Sequence, residues 1–129
     1  MIVVDASAVV ELVTGSALAA DIGTALAGAN ETLIVPHLLD IEVISALRGL
    51  AAGHRIDAHR IAEALADLAE FPALRYPHAP LLERIWELRH NFTACDAAYI
   101  ALAEATGAVL YTCDEKLSEG HQAEVMLFR

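Results

Sequence analysis

The chain has 129 residues, of which 57% are hydrophobic and 20% charged, and its formal net charge is −10. This length suits one domain spanning residues 1–129, and so much apolar material excludes a disordered chain. No stretch approaches the roughly 20 apolar residues that cross a bilayer, and the N-terminus lacks the basic leader of a secretory signal. We therefore expect a cytoplasmic protein with no membrane partner.

The acidic charge bears on the possible partners. Proteins that bind nucleic acids usually present a basic surface, because they neutralise phosphates. Here eight lysines and arginines stand against eighteen acids. Two interpretations remain open: an acidic protein kept apart from others by repulsion, or a protein in which some acids bind metal and a basic partner covers the rest.

Strands and helices alternate along the chain, bounded by glycine, proline and capping residues. In the first half of the chain the sequence predicts a strand at 2–4, a helix at 6–13, a helix from a Ser16 cap to 27, a strand at 32–35 and a helix at 37–52. The second half is predicted to contain a helix from an Asp57 cap to 70, a helix at 80–89, a helix at 94–106, a strand at 109–112, a helical turn at 114–119 and a strand at 124–128. Segment 71–79 carries Pro72 and Pro77 and is predicted to be a loop or an edge strand. The alternation predicts an α/β fold with a mainly parallel central sheet flanked by helices.

Two acids follow predicted strands. Asp5 comes after the first strand, and Asp114 comes after the strand at 109–112. In parallel α/β sheets the functional crevice lies beyond the carboxyl ends of the strands. Each of these acids also precedes a predicted helix, so a helix cap explains either one equally well when it is taken alone.

Glu42 and Asp96 lie on predicted helices. Asp96 follows Thr93 by three residues, a spacing that matches a capping box. Glu42 shares its helix face with Leu38 and Ala46. A carboxylate on such an apolar stripe requires a cation, a metal or a proton.

A metal site follows if these four acids meet at one end of the sheet. Clustered carboxylates repel one another and bind protons unless cations neutralise them. Mg²⁺ or Mn²⁺ suits such a cluster better than Zn²⁺, because the cluster supplies neither histidine nor paired cysteines. A bound ion lowers the pKa of a water and generates a nucleophile for phosphodiester hydrolysis. We find no convincing Ser, Cys or His triad that would compete with this interpretation.

Four segments resemble motifs of the PIN-domain VapC toxin ribonucleases. They are Ile2-Val3-Val4-Asp5-Ala6-Ser7-Ala8, Pro36-x-Leu38-x-x-x-Glu42-Val43-x-x-Ala46-Leu47, Leu88-Arg89-x-Asn91-x-Thr93-Ala94-Cys95-Asp96 with the following Ala97-Ala98-Tyr99-Ile100, and Leu110-Tyr111-Thr112-Cys113-Asp114-x-x-Leu117. They occur in order and at suitable spacing over essentially the whole chain. The resemblance implies a PIN-like three-layer fold and a metal-dependent endoribonuclease, the toxin of a VapBC toxin–antitoxin system.

The resemblance also implies which residues act. The implied catalytic and metal-binding residues are Asp5, Glu42, Asp96 and Asp114, which form an acidic pocket for Mg²⁺ or Mn²⁺ and an activated water. Ser7 and Thr112 match small polar positions that orient carboxylates or water, although ordinary hydrogen bonding at helix and strand ends explains them equally well. The implied partners are a VapB-type antitoxin, an RNA of the transfer or ribosomal class, and a second copy of the chain in a homodimer.

RNA requires some positive surface despite the net charge. We expect Arg48, Arg55 and Arg89 to flank the pocket and hold phosphates, although a solvated surface arginine is the commoner case.

Cys95 and Cys113 each precede a candidate ligand, and relatives often carry Tyr where this chain has Cys95. Thiols in these positions would make the site sensitive to oxidants, and small cysteines that merely fill space are the alternative.

Two other functions remain open at this point. A non-catalytic PIN-like module would only bind a partner, although an intact set of four acids argues against it. A phosphoacceptor receiver domain needs a pair of acids after its first strand and a late lysine. Asp5 is alone in that position, and the only lysine, Lys116, lies beside Asp114, so we rank the receiver domain low.

Overall fold

The computed structural model describes all of residues 1–129. Its strands are β1 (Ile2–Val4), β2 (Leu33–Pro36), β3 (Ala73–Tyr76), β4 (Val109–Thr112) and β5 (Val125–Leu127). Its α-helices are α1 (Ala6–Thr14), α2 (Ala19–Ala29), α3 (Leu38–Ala52), α4 (Ala58–Ala69), α5 (Leu82–Glu87) and α6 (Ala94–Thr106). Two 3₁₀ turns cover Ala79–Leu81 and Glu115–Leu117. The predicted alternation of strands and helices is confirmed.

The five strands form one parallel sheet in the order β3-β2-β1-β4-β5. Val3 of the central strand pairs with Ile34 on one side and with Leu110 on the other. The chain adds β2 and β3 to one side of β1, and then crosses to the other side for β4 and β5. A crevice opens where the strand order reverses in this way, which here is between β1 and β4.

The sheet is covered on both faces. Successive side chains of a strand point to opposite faces, and Ile2, Val3 and Val4 are all buried. α6 packs across β1, β2 and β4 and is buried over 97–103, while α1 contacts α2, α3 and α4. The result is a three-layer arrangement with a largely aliphatic core, in agreement with the expected fold class.

Two helix predictions need correction. α2 begins at Ala19 and has no side-chain cap, so the prediction that Ser16 caps it is wrong. Ser16 instead helps to end α1. Gly15, the residue after this helix, adopts the left-handed conformation, and the backbone N–H of Ser16 then donates to the Glu11 carbonyl of the last turn. The helix expected at 80–89 is divided into the 3₁₀ turn at 79–81 and the short α5.

The segment around Pro72 and Pro77 contains the edge strand β3, one of the two alternatives predicted for it.

No single helix is both long and apolar enough to cross a membrane. Only α1 and α2 taken together, as a pair bent by 110°, reach the required length and composition.

Candidate functional site

Asp5 lies at the carboxyl end of the central strand, where the chain turns into α1. Its Oδ1 accepts hydrogen bonds from the Ala8 backbone N–H at 3.1 Å and from the Ser7 hydroxyl at 2.6 Å. Its side chain caps α1, as the sequence predicted. The residue is only 4% exposed, so these bonds fix a nearly buried carboxylate in one orientation.

Thr112 links Asp5 to the end of the neighbouring strand. Its hydroxyl, which is fully buried, donates to Oδ2 of Asp5, and its oxygen accepts from the Asp114 backbone N–H at 2.9 Å. The Ser7 oxygen accepts from the Cys113 backbone N–H at 2.9 Å. Ser7 and Thr112 therefore tie the carboxyl ends of β1 and β4 together around one carboxylate.

Asp114 and Asp96 each lie at the start of a helical segment. Asp114 accepts from the Lys116 backbone N–H at 3.0 Å and caps the 3₁₀ turn at 115–117. The backbone N–H of Asp96 donates to the Thr93 hydroxyl at 3.2 Å, so Thr93 caps α6 as predicted. Capping by Asp114 is confirmed, whereas only the Thr93 half of the capping box expected at α6 forms, because the Asp96 carboxylate accepts no bond from the Thr93 backbone. Both carboxylates are partly exposed, which is compatible with a second role.

Glu42 projects from α3 and is half-buried. Its Oε1 accepts from the Tyr99 hydroxyl at 2.7 Å. Neither a basic side chain nor a backbone N–H pairs with this carboxylate, whereas Asp40 on the same helix forms a two-pronged ion pair with Arg75. The bond joins α3 to α6, which also carries Asp96.

The charges of these acids act on one another in pairs. Burial raises the pKa of Asp5, and the charge of Asp114 raises it further. Burial also raises the pKa of Glu42 and of Asp96, with added repulsion from Asp96 and from Asp114 respectively. Lys116 partly opposes the increase at Asp96. The cluster thus holds more negative charge than nearby cations compensate.

A divalent cation fits this arrangement if water molecules supply part of its coordination shell. The donor atoms are carboxylate oxygens, which suit hard ions such as Mg²⁺ and Mn²⁺. No three His, Cys, Asp or Glu side chains stand close enough to hold one ion between them. Mg²⁺ usually binds through one or two carboxylates and retains several waters, so an open cluster with raised carboxyl pKa values is consistent with it, whereas a closed zinc cage is not.

The sequence did not indicate that the Tyr99 hydroxyl takes part in this site. It belongs to the apolar run after Asp96, a pattern typical of a core residue, and it is indeed 1% exposed. The available signal was its position three residues after Asp96, which places both on one face of α6. Burial raises the pKa of the Tyr99 phenol, and so do its hydrogen bond to Glu42 and the charge of that residue.

The three arginines expected to bind RNA are exposed and make no ion pair. They are Arg48, Arg55 and Arg89. The other four arginines all pair with acids, namely Arg60 with Glu63, Arg75 with Asp40, Arg84 with Glu104 and Glu87, and Arg129 with Glu115. Arg89 lies over the Trp86 ring at 4.3 Å from its centroid. These three side chains remain available to an anion.

The two cysteines are free thiols. Burial, together with the charges of Glu42 and Asp96, raises the pKa of Cys95. Burial and the charges of Asp5 and Glu11 raise the pKa of Cys113 to about 11. A thiol reacts with oxidants through its thiolate, so the raised pKa values favour the space-filling alternative over oxidant sensitivity.

A cavity of about 810 Å³ lies away from Asp5, Glu42, Asp96 and Asp114. It is lined by residues that include Asn30, Leu33 and Phe71, at or before the amino ends of β2 and β3. The candidate site at the carboxyl ends therefore rests on the chemistry of the four acids and the topology of the sheet, and not on the volume of a cavity.

Comparison with known proteins agrees with this geometry. Residues 2–120 match the PIN domain family. The chain is 44% identical over 124 residues to Ribonuclease VapC9 of Mycobacterium tuberculosis (strain H37Rv), covering 96% of this chain and 94% of that protein. It is 40% identical over 129 residues to Ribonuclease VapC12 of the same strain, covering 98% of each.

Two solved structures share the fold. PAE2754 from Pyrobaculum aerophilum superimposes with a TM-score of 0.70 at 27% identity, over 95% of this chain and 81% of that one. VapC20 of Mycobacterium tuberculosis, described as a Sarcin-Ricin loop cleaving toxin, superimposes with a TM-score of 0.68 at 21% identity, over 92% and 93%. The chain therefore belongs to the PIN-domain family, as a member of the VapC ribonucleases.

Proposed function

We propose that the chain is a metal-dependent endoribonuclease toxin that hydrolyses RNA phosphodiester bonds at the cluster of Asp5, Glu42, Asp96 and Asp114. One feature of the structure carries the proposal: the four acids are joined in two pairs. Thr112 bonds to the Asp5 carboxylate and to the Asp114 backbone, and Tyr99 bonds Glu42 to the helix that carries Asp96. Relatives at 40% identity or more over nearly the whole chain are named ribonucleases.

One or two of these carboxylates at a time, together with retained waters, would hold Mg²⁺ or Mn²⁺. When bound, a divalent ion acts as a Lewis acid that activates water and stabilises charge on the phosphate oxygens. Asp5 is held rigid by Ser7 and Thr112, whereas Asp96 and Asp114 are more accessible to solvent. We infer that Asp5 fixes the floor of the site, and that the more exposed acids face the substrate.

The RNA would approach across a surface with few cations. Arg48, Arg55 and Arg89 are exposed and unpaired, which leaves them free to contact phosphates. Contacts of this kind position an RNA without reading its sequence. We propose a structured RNA of the transfer or ribosomal class as the substrate and the cytoplasm as the site of action.

Two protein partners belong to the proposal. A VapB-type antitoxin would inhibit the enzyme, and the net charge of −10 suits a basic antitoxin segment. A second copy of the chain would form a homodimer. Ile41 on α3 is 68% exposed, and Leu82 and Trp86 on α5 are 60% and 66% exposed, and large exposed apolar side chains of this kind often mark protein interfaces.

Incubation of the purified, antitoxin-free chain with total cellular RNA tests the activity. The reactions contain Mg²⁺, Mn²⁺ or EDTA, and they compare the wild type with Asp96→Asn. Asp21→Asn is the matched control, since it removes the same charge from an exposed position on α2. We expect discrete fragments that require metal, form with wild type and Asp21→Asn, and vanish with Asp96→Asn.

Intact RNA in every reaction, with metal still bound to the protein, would instead favour a non-catalytic PIN-like interaction module.

A further inference from the structure

Tyr99 is a core residue whose hydroxyl bonds to one of the candidate acids. It is 1% exposed, and its ring packs within the aliphatic core. A buried phenol needs a hydrogen-bond partner, because an unpaired hydroxyl costs free energy that phenylalanine would avoid. The partner of Tyr99 is Oε1 of Glu42, at 2.7 Å, and Glu42 has no other hydrogen bond or ion pair in the protein.

The bond leaves the two oxygens of Glu42 in different situations. Oε1 is fixed by a donor from the core, while Oε2 has no protein partner. Asp96 precedes Tyr99 by three residues on α6, so the two lie on one face of that helix. α6 therefore carries one acid of the site and the group that fixes a second acid, which comes from α3.

We propose that Tyr99 is a positioning residue that orients the Glu42 carboxylate, so that Oε2 is presented to a divalent ion shared with Asp96. This proposal rests on the proposed function. Without the phenol, Glu42 would be free to rotate away from the like charge of Asp96. Partners that orient a metal ligand typically contribute 10- to 100-fold in affinity or activity, so we expect Tyr99→Phe to weaken Mn²⁺ affinity about tenfold.

Tyr111 provides a matched control. It is also buried, at 5% exposed, and its ring packs against Phe128 with the ring centroids 5.4 Å apart. Its hydroxyl makes no hydrogen bond to the acids of the site. Tyr111→Phe removes the same atom from the same core, so a general loss of core packing would affect both variants, whereas a positioning role affects only Tyr99→Phe.

The experiment measures Mn²⁺ affinity of the full-length chain by electron paramagnetic resonance, with thermal denaturation as a check on folding. We expect about tenfold weaker binding for Tyr99→Phe and less than about a twofold change for Tyr111→Phe. Cleavage of RNA by Tyr99→Phe should recover at high Mn²⁺, a rescue that a purely structural defect would not show.

A second variant breaks the hydrogen bond between Tyr99 and Glu42 by changing Glu42. Glu42→Asp shortens the side chain and withdraws the carboxylate from the phenol without altering Tyr99. Adding Tyr99→Phe to Glu42→Asp should weaken Mn²⁺ binding by less than about a further twofold, because the hydrogen bond is already broken. A further loss of about tenfold in the double variant would show that Tyr99 acts by another route and would overturn the proposal.

The remaining outcomes separate the two proposals. Equal Mn²⁺ affinity in wild type and Tyr99→Phe would overturn the role of Tyr99 and leave the metal site intact. Absence of Mn²⁺ binding by the wild type would overturn the metal site itself, and the role of Tyr99 with it.

Discussion

Thr112 hydrogen-bonds to both strand-end acids of the site: its hydroxyl donates to Oδ2 of Asp5, and its oxygen accepts from the backbone N–H of Asp114. Asp5 and Thr112 are 107 residues apart in the chain. They meet because β1 and β4 pair in parallel and end at the same edge of the sheet. One buried hydroxyl thus links the Asp5 carboxylate to the backbone of Asp114.

Replacement of Thr112 by valine should destabilise the protein. Valine has the same shape but leaves the Asp5 carboxylate and the Asp114 N–H each without this partner. Leaving buried polar groups unpaired costs about 1–3 kcal/mol, and we expect a decrease of that size in the free energy of unfolding from urea titration. Thr112→Ser retains the hydroxyl and should be less destabilised; equal stability of wild type and Thr112→Val would contradict this role.

Neutralising Asp96 should make the metal-free protein more stable at neutral pH while it abolishes cleavage. The raised pKa means that the folded protein resists ionisation of this carboxyl group, whose ordinary pKa is 3.8. Below that value Asp96 is protonated in both states and carries no penalty. As the pH rises through the higher folded pKa, the charge is imposed on the folded state and destabilises it.

Thermal denaturation across pH measures this effect. The melting temperature of Asp96→Asn should equal that of wild type in acid and exceed it near neutral pH. Added Mn²⁺ should narrow the gap by stabilising wild type more than the variant. A variant that melts lower than wild type at neutral pH, without metal, would show that repulsion and burial do not dominate at Asp96.

Peroxide should leave activity unchanged. The pKa of Cys113 is raised to about 11, so only a small fraction is thiolate at neutral pH, and the pKa of Cys95 is raised as well. The measurement compares RNA cleavage by wild type and Cys113→Ser before and after peroxide. Inhibition of wild type that a thiol reductant reverses, together with resistance of Cys113→Ser, would restore the oxidation hypothesis.

The unpaired arginines should determine RNA affinity. Replacing Arg48, Arg55 and Arg89 with glutamine should weaken RNA binding. It should also make binding less dependent on salt. The slope of the logarithm of the binding constant against the logarithm of the salt concentration should become shallower by about one for each phosphate that is no longer neutralised. Arg129→Gln is the control, because Arg129 is exposed but already paired with Glu115. The triple variant and wild type should give the same salt slope only if these arginines lie outside the RNA path.

The fold could be predicted largely because its signals are local. The buried run Ile2–Val4, the Thr93 cap and the glycine after α6 each specify an element through nearby residues. The start of α2 could not be predicted from Ser16, because that residue satisfies the end of the preceding helix instead. A capping residue between two helices can serve either one, and only packing decides.

The sequence could nominate the four candidate acids but not the hydrogen bonds that connect them to other residues. Asp5 and Asp114 carry capping signals that the structure confirms, and Asp96 follows the Thr93 cap. The approach of these acids to one another depends on strand order, which sequence spacing does not specify. The bond between Tyr99 and Glu42 joins residues 57 positions apart. Such long-range pairs leave no local pattern, which is why the sequence around Tyr99 indicates only a core residue.

The most direct test of the central claim is to locate the metal. Crystals of the wild-type chain grown with Mn²⁺ should give an anomalous scattering peak bounded by Asp5, Glu42, Asp96 and Asp114, and this peak should be absent from crystals of Asp96→Asn. A strong Mn²⁺ peak elsewhere on the protein, with none among these four carboxylates, would contradict the assignment of the site.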